Sequence, residues 1–355
     1  MKEKISFNDV LLEPRYSEVE SRSQVSTSVI LYSKTNQKFE FNNPIIPANM
    51  QHIADIEMCK EMYKLKSLCL FHRFNSIEHN KDVPTDYLYF TNQLKKIGLD
   101  IFNYIGFSVG VKEDDKKYVD NLYKEGVRII CIDIAHAHSK LGIEMTKYVA
   151  DKYPDILLIS GNVATSAGAF SLWSAGADVV KVNIGAGSIC TTRVETANGV
   201  PQLSALMDVY NELSLNQNQN KITGRKNYII ADGGMSQAGH LVIALGFADM
   251  VMTGNLLAGS DECPGNIITK GSVKYKEYFG SSTHKNFHVE GVKAYVKTKG
   301  YVKDVVENLL YGIKSGCSYQ GVFSISDLKK VVGSSLIRIT NSGYIESKDH
   351  DVVLL

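Results

Sequence analysis

The sequence predicts an α/β fold: a single (β/α)8 TIM barrel over residues 1–355, with a C-terminal active-site flap at about 260–300. Three observations predict it. Eight short, β-rich apolar runs follow one another along the chain. Most gaps between them carry a helical pattern. Residues able to do chemistry gather where the runs stop, the end of a barrel that carries active sites. An open, doubly wound sheet is the alternative for the same alternation.

The runs are residues 44–49, 67–73, 103–110, 128–135, 155–163, 178–185, 227–234 and 248–254. Each is almost continuously apolar, as expected of parallel strands buried on both faces. Helical periodicity falls at 112–125, 139–152, 165–175, 202–213 and 236–246. Residues 214–226 include Asn216-Gln-Asn-Gln-Asn220 and read as a polar surface insertion or loop. Residues 260–300 hold no barrel unit, and a last helix is expected at 302–315. So long an excursion beside the barrel mouth is expected to be a mobile lid, with residues 281–289 its most polar part.

Composition narrows the partners. Hydrophobic residues make up 44% of the 355 and charged residues 22%, enough for a large core. A net charge of +1 gives no global field for nucleic acid or an anionic membrane. No apolar run approaches the ~20 residues of a membrane span. No apolar stretch follows the charges of Met1-Lys-Glu-Lys4, so no secretory signal is expected. The six cysteines, at 59, 69, 131, 190, 263 and 317, are too scattered for a zinc site or a disulfide framework, and a reducing cytoplasm is the expected home.

The central motif is Gly185-Ala-Gly-Ser-Ile-Cys-Thr-Thr-Arg193. Gly185 and Gly187 permit positive φ and leave room for a ligand, and their backbone groups can face an anion or a monovalent cation. Cys190 on the same loop is a candidate nucleophile; a buried structural cysteine is the competing reading. Asp232-Gly233-Gly234 and Gly254-Asn255 end the seventh and eighth runs, where barrels commonly bind phosphate, and Asp232 can accept from a ribose diol. Ordinary strand-to-helix turns are the alternative there. His136 and His138, spaced i, i+2, would share one face of a strand as half a metal site, yet no further ligands accompany them.

From Ser6-Phe-Asn-Asp-Val-Leu-Leu12 to Ser315-Gly-Cys-Ser-Tyr-Gln-Gly321 the chain resembles the IMP dehydrogenase / GMP reductase family, most specifically in Gly-x-Gly-Ser-Ile-Cys-x-Thr. The resemblance implies that Cys190 attacks C2 of a purine to give a covalent thioimidate. It implies a substrate site of Met50, Ser188, Asp232, Gly233, Gly234, Gly254, Asn255, Tyr278, Ser281 and Ser282. It places Arg73, Asp133 and Asn162 by the nicotinamide half of NADPH. Carbonyls of Gly185, Gly187 and Cys190 would hold a monovalent cation such as K+, and the assembly implied is a homotetramer.

Within the family the residues point to the reductase branch, which takes GMP to IMP. Only residues 74–102 separate the second and third runs, too few for the paired cystathionine-β-synthase module that family dehydrogenases carry there. Those dehydrogenases use a flap Arg as base, and no Arg occurs between Lys226 and Ile337. Reductases pair a Thr two residues after the Cys with a flap Glu, and Thr192 and Glu290 match. Pro47-Ala-Asn-Met50, His72-Arg-Phe74, Asp133-Ile-Ala-His136 and Tyr275-Lys-Glu-Tyr-Phe-Gly280 resemble the reductase of low-GC Gram-positive bacteria. Three features depart: Gly199-Val-Pro-Gln202 is similar to other branches, the flap is short, and Arg73 stands where other reductases carry Lys. A dehydrogenase without its regulatory module and a catalytically silent nucleotide-binding barrel are the competing functions.

Overall fold

The computed structural model describes residues 2–73, 86–218, 226–279 and 293–347. Its centre is an eight-stranded parallel sheet curled into a barrel. The strands are β1 (Ile45–Pro47), β2 (Cys69–Phe71), β3 (Ile105–Val109), β4 (Ile129–Asp133), β5 (Leu157–Val163), β6 (Val179–Val182), β7 (Tyr228–Asp232) and β8 (Met250–Thr253). Hydrogen bonding runs from β2 through β3 to β8 and on to β1, and β1 and β2 lie side by side at the seam. All eight predicted runs became strands. Their side chains are buried almost throughout, so both faces are covered. Asp178 and Asp249, just ahead of β6 and β8, accept the backbone N–H groups of Leu158 and Ile229 and fix where neighbouring strands begin.

Helices α1 (Ile56–Lys64), α2 (Asp86–Lys95), α3 (Glu113–Lys124), α4 (Lys140–Lys152), α5 (Ser166–Ala175), α6 (Gln202–Asn218), α7 (Ala238–Leu245) and α8 (Val302–Tyr319) follow the strands in turn. Their starts are written in side chains: Ser139 accepts from Gly142 N ahead of α4, and Thr165 from Gly168 N ahead of α5. Two helices outrun their predicted ends. Helix α6 continues to Asn218, so residues 214–218 are helical and not a loop; Ser214 donates back to Tyr210 O, and Leu213 is buried. Helix α8 continues through Gly316 to Tyr319.

The stretch expected to hold no unit contains a three-stranded antiparallel sheet of Ile267–Lys270, Val273–Phe279 and Lys293–Lys297. The proposed lid residues 281–289 lie outside the described residues. Two further pairings were not predicted: the hairpin Val29–Tyr32 with Lys38–Phe41, and Val10–Leu12 with Leu336–Arg338. Among the described residues no helix is long and apolar enough to cross a membrane.

Two buried histidines give the fold a pH dependence. Burial pushes His72, at the end of β2, down to about 4, with His52 adding to the effect. Burial does the same to His240 of α7, which stacks on Phe7 and is also near 4. Unfolding returns both to about 6.5, so the unfolded chain binds more protons between those values. Stability should therefore fall as pH drops from about 6.5 toward 4, by at most about 1.4 kcal/mol per pH unit for each histidine. Urea midpoints at pH 7.5 and 5 measure this. His240→Gln should flatten the dependence, and an unchanged slope would remove His240 from the account.

Candidate active site

A cavity of about 320 Å³ opens at the C-terminal ends of the strands. Pairing brings those ends level: Thr253 lies opposite Pro47, Met252 opposite Asp232, and Asp133 opposite Gly161. The predicted Met50, Asp133, Gly187, Ser188, Cys190, Asp232, Gly233, Gly234, Gly254, Asn255 and Tyr278 all line the cavity. Gly185, Thr192 and Asn162 are not in its lining but adjoin or hydrogen bond residues that are, and Arg73, two residues past β2, is close enough to act on the Asp133 charge. Ser281, Ser282 and Glu290 lie outside the described residues.

The Cys190 loop is stapled at both ends. Arg193 donates to Ile184 O, where the loop leaves β6, and to Val200 O ahead of α6. Its side chain crosses Gly185, where a Cβ would come within 2.5 Å of Arg193 Cγ. Gly185 has φ 77°, as predicted. Gly187 does not take positive φ; a Cβ there would meet Cys190 Cβ at 3.5 Å, so its smallness keeps space beside the thiol. Cys190 is exposed, whereas the other five cysteines are buried. Its Sγ lies 3.1 Å from Thr192 Oγ1, the first residue of the short helix Thr192–Thr196.

Lys181 crosses the mouth from β6. It is buried, and its Nζ donates to Asp133 Oδ1 at 2.8 Å, Asn49 Oδ1 at 3.2 Å and Asp232 Oδ2 at 3.3 Å. Burial alone would lower its pKa, but the attraction of Asp133 and Asp232 outweighs it and holds the ammonium above the usual lysine range. In the same way burial would raise Asp133, yet Lys181 keeps it below the ordinary carboxylate value. Asn162 donates to the same Asp232 Oδ2 at 2.8 Å, from a position where the β5–β6 register slips by one residue. Asp232 Oδ1 thus stays without a partner among the described residues, as does the buried Asn162 Oδ1.

On the far side the turns after β7 and β8 meet the antiparallel sheet. Tyr278 is buried, with Ser188 beside its hydroxyl. A Cβ on Gly254 would sit 2.6 Å from the Tyr278 hydroxyl, so only glycine fits there. Gly233 N–H is engaged by Met252 O, while the N–H groups of Gly234, Gly254 and Asn255 have no partner among the described residues. A pocket flanked by such donors suits an anion.

His136 and His138 are not strand residues. β4 ends at Asp133, and both imidazoles follow it on an exposed connection, rings 6.2 Å apart. Among the described residues no group of three His, Cys, Asp or Glu could hold a metal ion. Sequence reasoning missed Lys181, Asn183 and Thr253 as cavity residues. The signal for Lys181 was present: it is the one charge inside the apolar run Val179-Val-Lys-Val182.

Fold and site together define a (β/α)8-barrel protein with an exposed thiol, two carboxylates and a row of backbone N–H groups at one mouth. The IMP dehydrogenase / GMP reductase domain family matches residues 4–350, and the chain belongs to this family of oxidoreductases. It is 36% identical over 336 residues to a GMP reductase of Staphylococcus epidermidis, covering 92% of this chain and 94% of that one. It is 32% identical over 351 residues to a GMP reductase of Buchnera aphidicola, covering 95% of each. A Borreliella burgdorferi inosine-5'-monophosphate dehydrogenase is 31% identical over 419 aligned positions, covering 99% and 98%.

Proposed function

We propose that the chain is a GMP reductase: it takes GMP, reduced NADPH and protons to IMP, oxidised cofactor and ammonia through a covalent Cys190 thioimidate. The observation that carries this reading is the exposed Cys190 thiol against the Thr192 hydroxyl at the cavity mouth. The N–H groups of Gly234, Gly254 and Asn255, with Ser188 and Tyr278, receive the phosphate. Asp232 Oδ1 accepts from the ribose. Met50 flanks the base.

Cys190 Sγ forms a bond to C2, and the C2–N bond to the exocyclic amine then breaks. Thr192, with Glu290, moves a proton to that departing nitrogen. The nicotinamide cofactor, when bound, supplies the hydride that ends at C2, after which the C2–S bond breaks. Asp133 lines its half of the mouth, with Asn162 and Arg73 set beside it, and the buried Asn162 Oδ1 has no partner among the described residues. Carbonyls of Gly185, Gly187 and Cys190 would bind a monovalent cation; Gly187 O already accepts from Cys190 N. The proposed assembly is a cytoplasmic homotetramer.

The second reading, an IMP dehydrogenase, is favoured by the relatives of that name. It lacks a base, since no Arg lies between Lys226 and Ile337. Absorbance of the reduced cofactor separates the two. GMP with NADPH should consume it and release ammonia in equal amount. Sustained reduction of NAD by IMP would instead make the chain a dehydrogenase, and silence in both mixtures would leave a binding barrel.

A further inference from the structure

Lys181 does more than fill the barrel. A lysine wholly shut from water is costly unless its charge is matched. Here it is matched twice, by carboxylates on either side of the mouth: Asp133 from β4 and Asp232 from β7. Each contact uses one oxygen of each carboxylate. For Asp232 that oxygen is also taken by Asn162 Nδ2, which turns Oδ1 outward. Asn49, just past the first strand, steadies the ammonium and is itself held by donating to Ser108 Oγ. The other titratable groups near the pair are the buried Cys131 thiol on β4, Arg73 beyond β2, and the Tyr278 hydroxyl. Of these only Arg73 is cationic, and it acts on Asp133 from an exposed position. Lys181 is thus the only buried cation bonded to either carboxylate among the described residues.

We infer that Lys181 is a positioning residue for the proposed reaction: its ammonium bridges Asp133 and Asp232 through one oxygen of each and so aims their outer oxygens into the cavity. The identity of the ligands rests on the GMP reductase reading; the effect on the carboxylates does not. Without the ammonium, two carboxylates in one partly buried mouth favour protonation. A protonated Asp232 is a poor acceptor for a ribose hydroxyl.

The test is calorimetric binding of GMP to wild type and Lys181→Met at pH 8 and pH 5.5. The variant-to-wild-type ratio of Kd cancels the titration of the nucleotide's own phosphate. That ratio should be at least tenfold larger at pH 5.5 than at pH 8. A ratio equal at both pH values, whether large or small, overturns the inference, because a merely structural lysine would weaken binding uniformly. Where Lys181→Met does not fold, Lys181→Gln removes the charge, keeps a hydrogen-bond donor and leaves both carboxylates without their cation. The same pH-dependent ratio is expected of it. Carboxyl carbon NMR on the unliganded proteins gives the arm that needs no nucleotide. The Asp133 signal, assigned with Asp133→Asn, should titrate at higher pH once Lys181 is methionine. An unmoved titration overturns the inference. A wild type that binds neither GMP nor IMP overturns the GMP reductase reading instead, and the carboxyl titration still decides the role of Lys181.

Discussion

Cys190→Ala should lose turnover of GMP by on the order of 10⁴-fold or more, the scale reached when a covalent nucleophile is removed. Its GMP affinity should change by less than about tenfold, under about 1.4 kcal/mol. The split follows from the layout of the cavity. The N–H groups of Gly234, Gly254 and Asn255, and the Asp232 carboxylate, belong to the ends of β7 and β8, whereas Cys190 sits on the loop after β6. The backbone of that loop is held by Arg193 and Gly185, not by the thiol. Exposure offers a second readout. Because the other five cysteines are buried, iodoacetamide should label Cys190 first, and GMP should protect it. Survival of turnover in Cys190→Ala, or parallel loss of binding and turnover, would leave the thiol a bystander or a packing residue.

The parts of this molecule that the sequence displays are those where one physical demand dominates. A parallel strand covered on both faces must be apolar along its whole length, so Arg128-Ile-Ile-Cys-Ile-Asp133 and its seven counterparts announce themselves. Their C-terminal ends then locate Cys190, Asp232 and Gly254 without any knowledge of contacts. What stayed hidden are residues serving two demands at once. Lys181 breaks an apolar run because two carboxylates, far away in sequence, balance it. Lys276 does the same in the outer sheet. It is buried and donates to Ser260 O and Asp261 O, so the alternation that would mark a half-buried strand is disrupted by a charge on the covered face. The pairing of Val10 with Arg338 joins segments more than three hundred residues apart, and no local pattern encodes such a partner. Helix α6 ran past its predicted end because asparagine and glutamine were read as loop formers. Glutamine has good helix propensity, and the buried Leu213 anchors that turn.

Thr192→Val should slow GMP reduction by about 10²–10⁴-fold, the range of a positioned acid–base group, while sparing the half-reaction that involves no ammonia. Valine keeps the shape of threonine and removes only the hydroxyl. In the structure that hydroxyl accepts from the Cys190 thiol at 3.1 Å. It therefore stands at the atom that becomes bonded to C2, within reach of the amine that leaves from the same carbon. Proton delivery to that amine needs a relay. Hydride movement to or from C2 does not. IMP with oxidised cofactor should still give a burst of reduced cofactor in Thr192→Val, because this half-reaction forms the same thioimidate from the other side. Rapid-mixing absorbance separates the outcomes. A burst of wild-type size with slow GMP turnover places Thr192 in proton transfer. Loss of the burst in step with GMP turnover would instead mean that the hydroxyl serves the thiol itself, for example by orienting Sγ, and the relay would have to be sought elsewhere. A helix-start role alone predicts neither result. Thr192 opens a helix of five residues, and a valine there should lower stability slightly and both reactions alike.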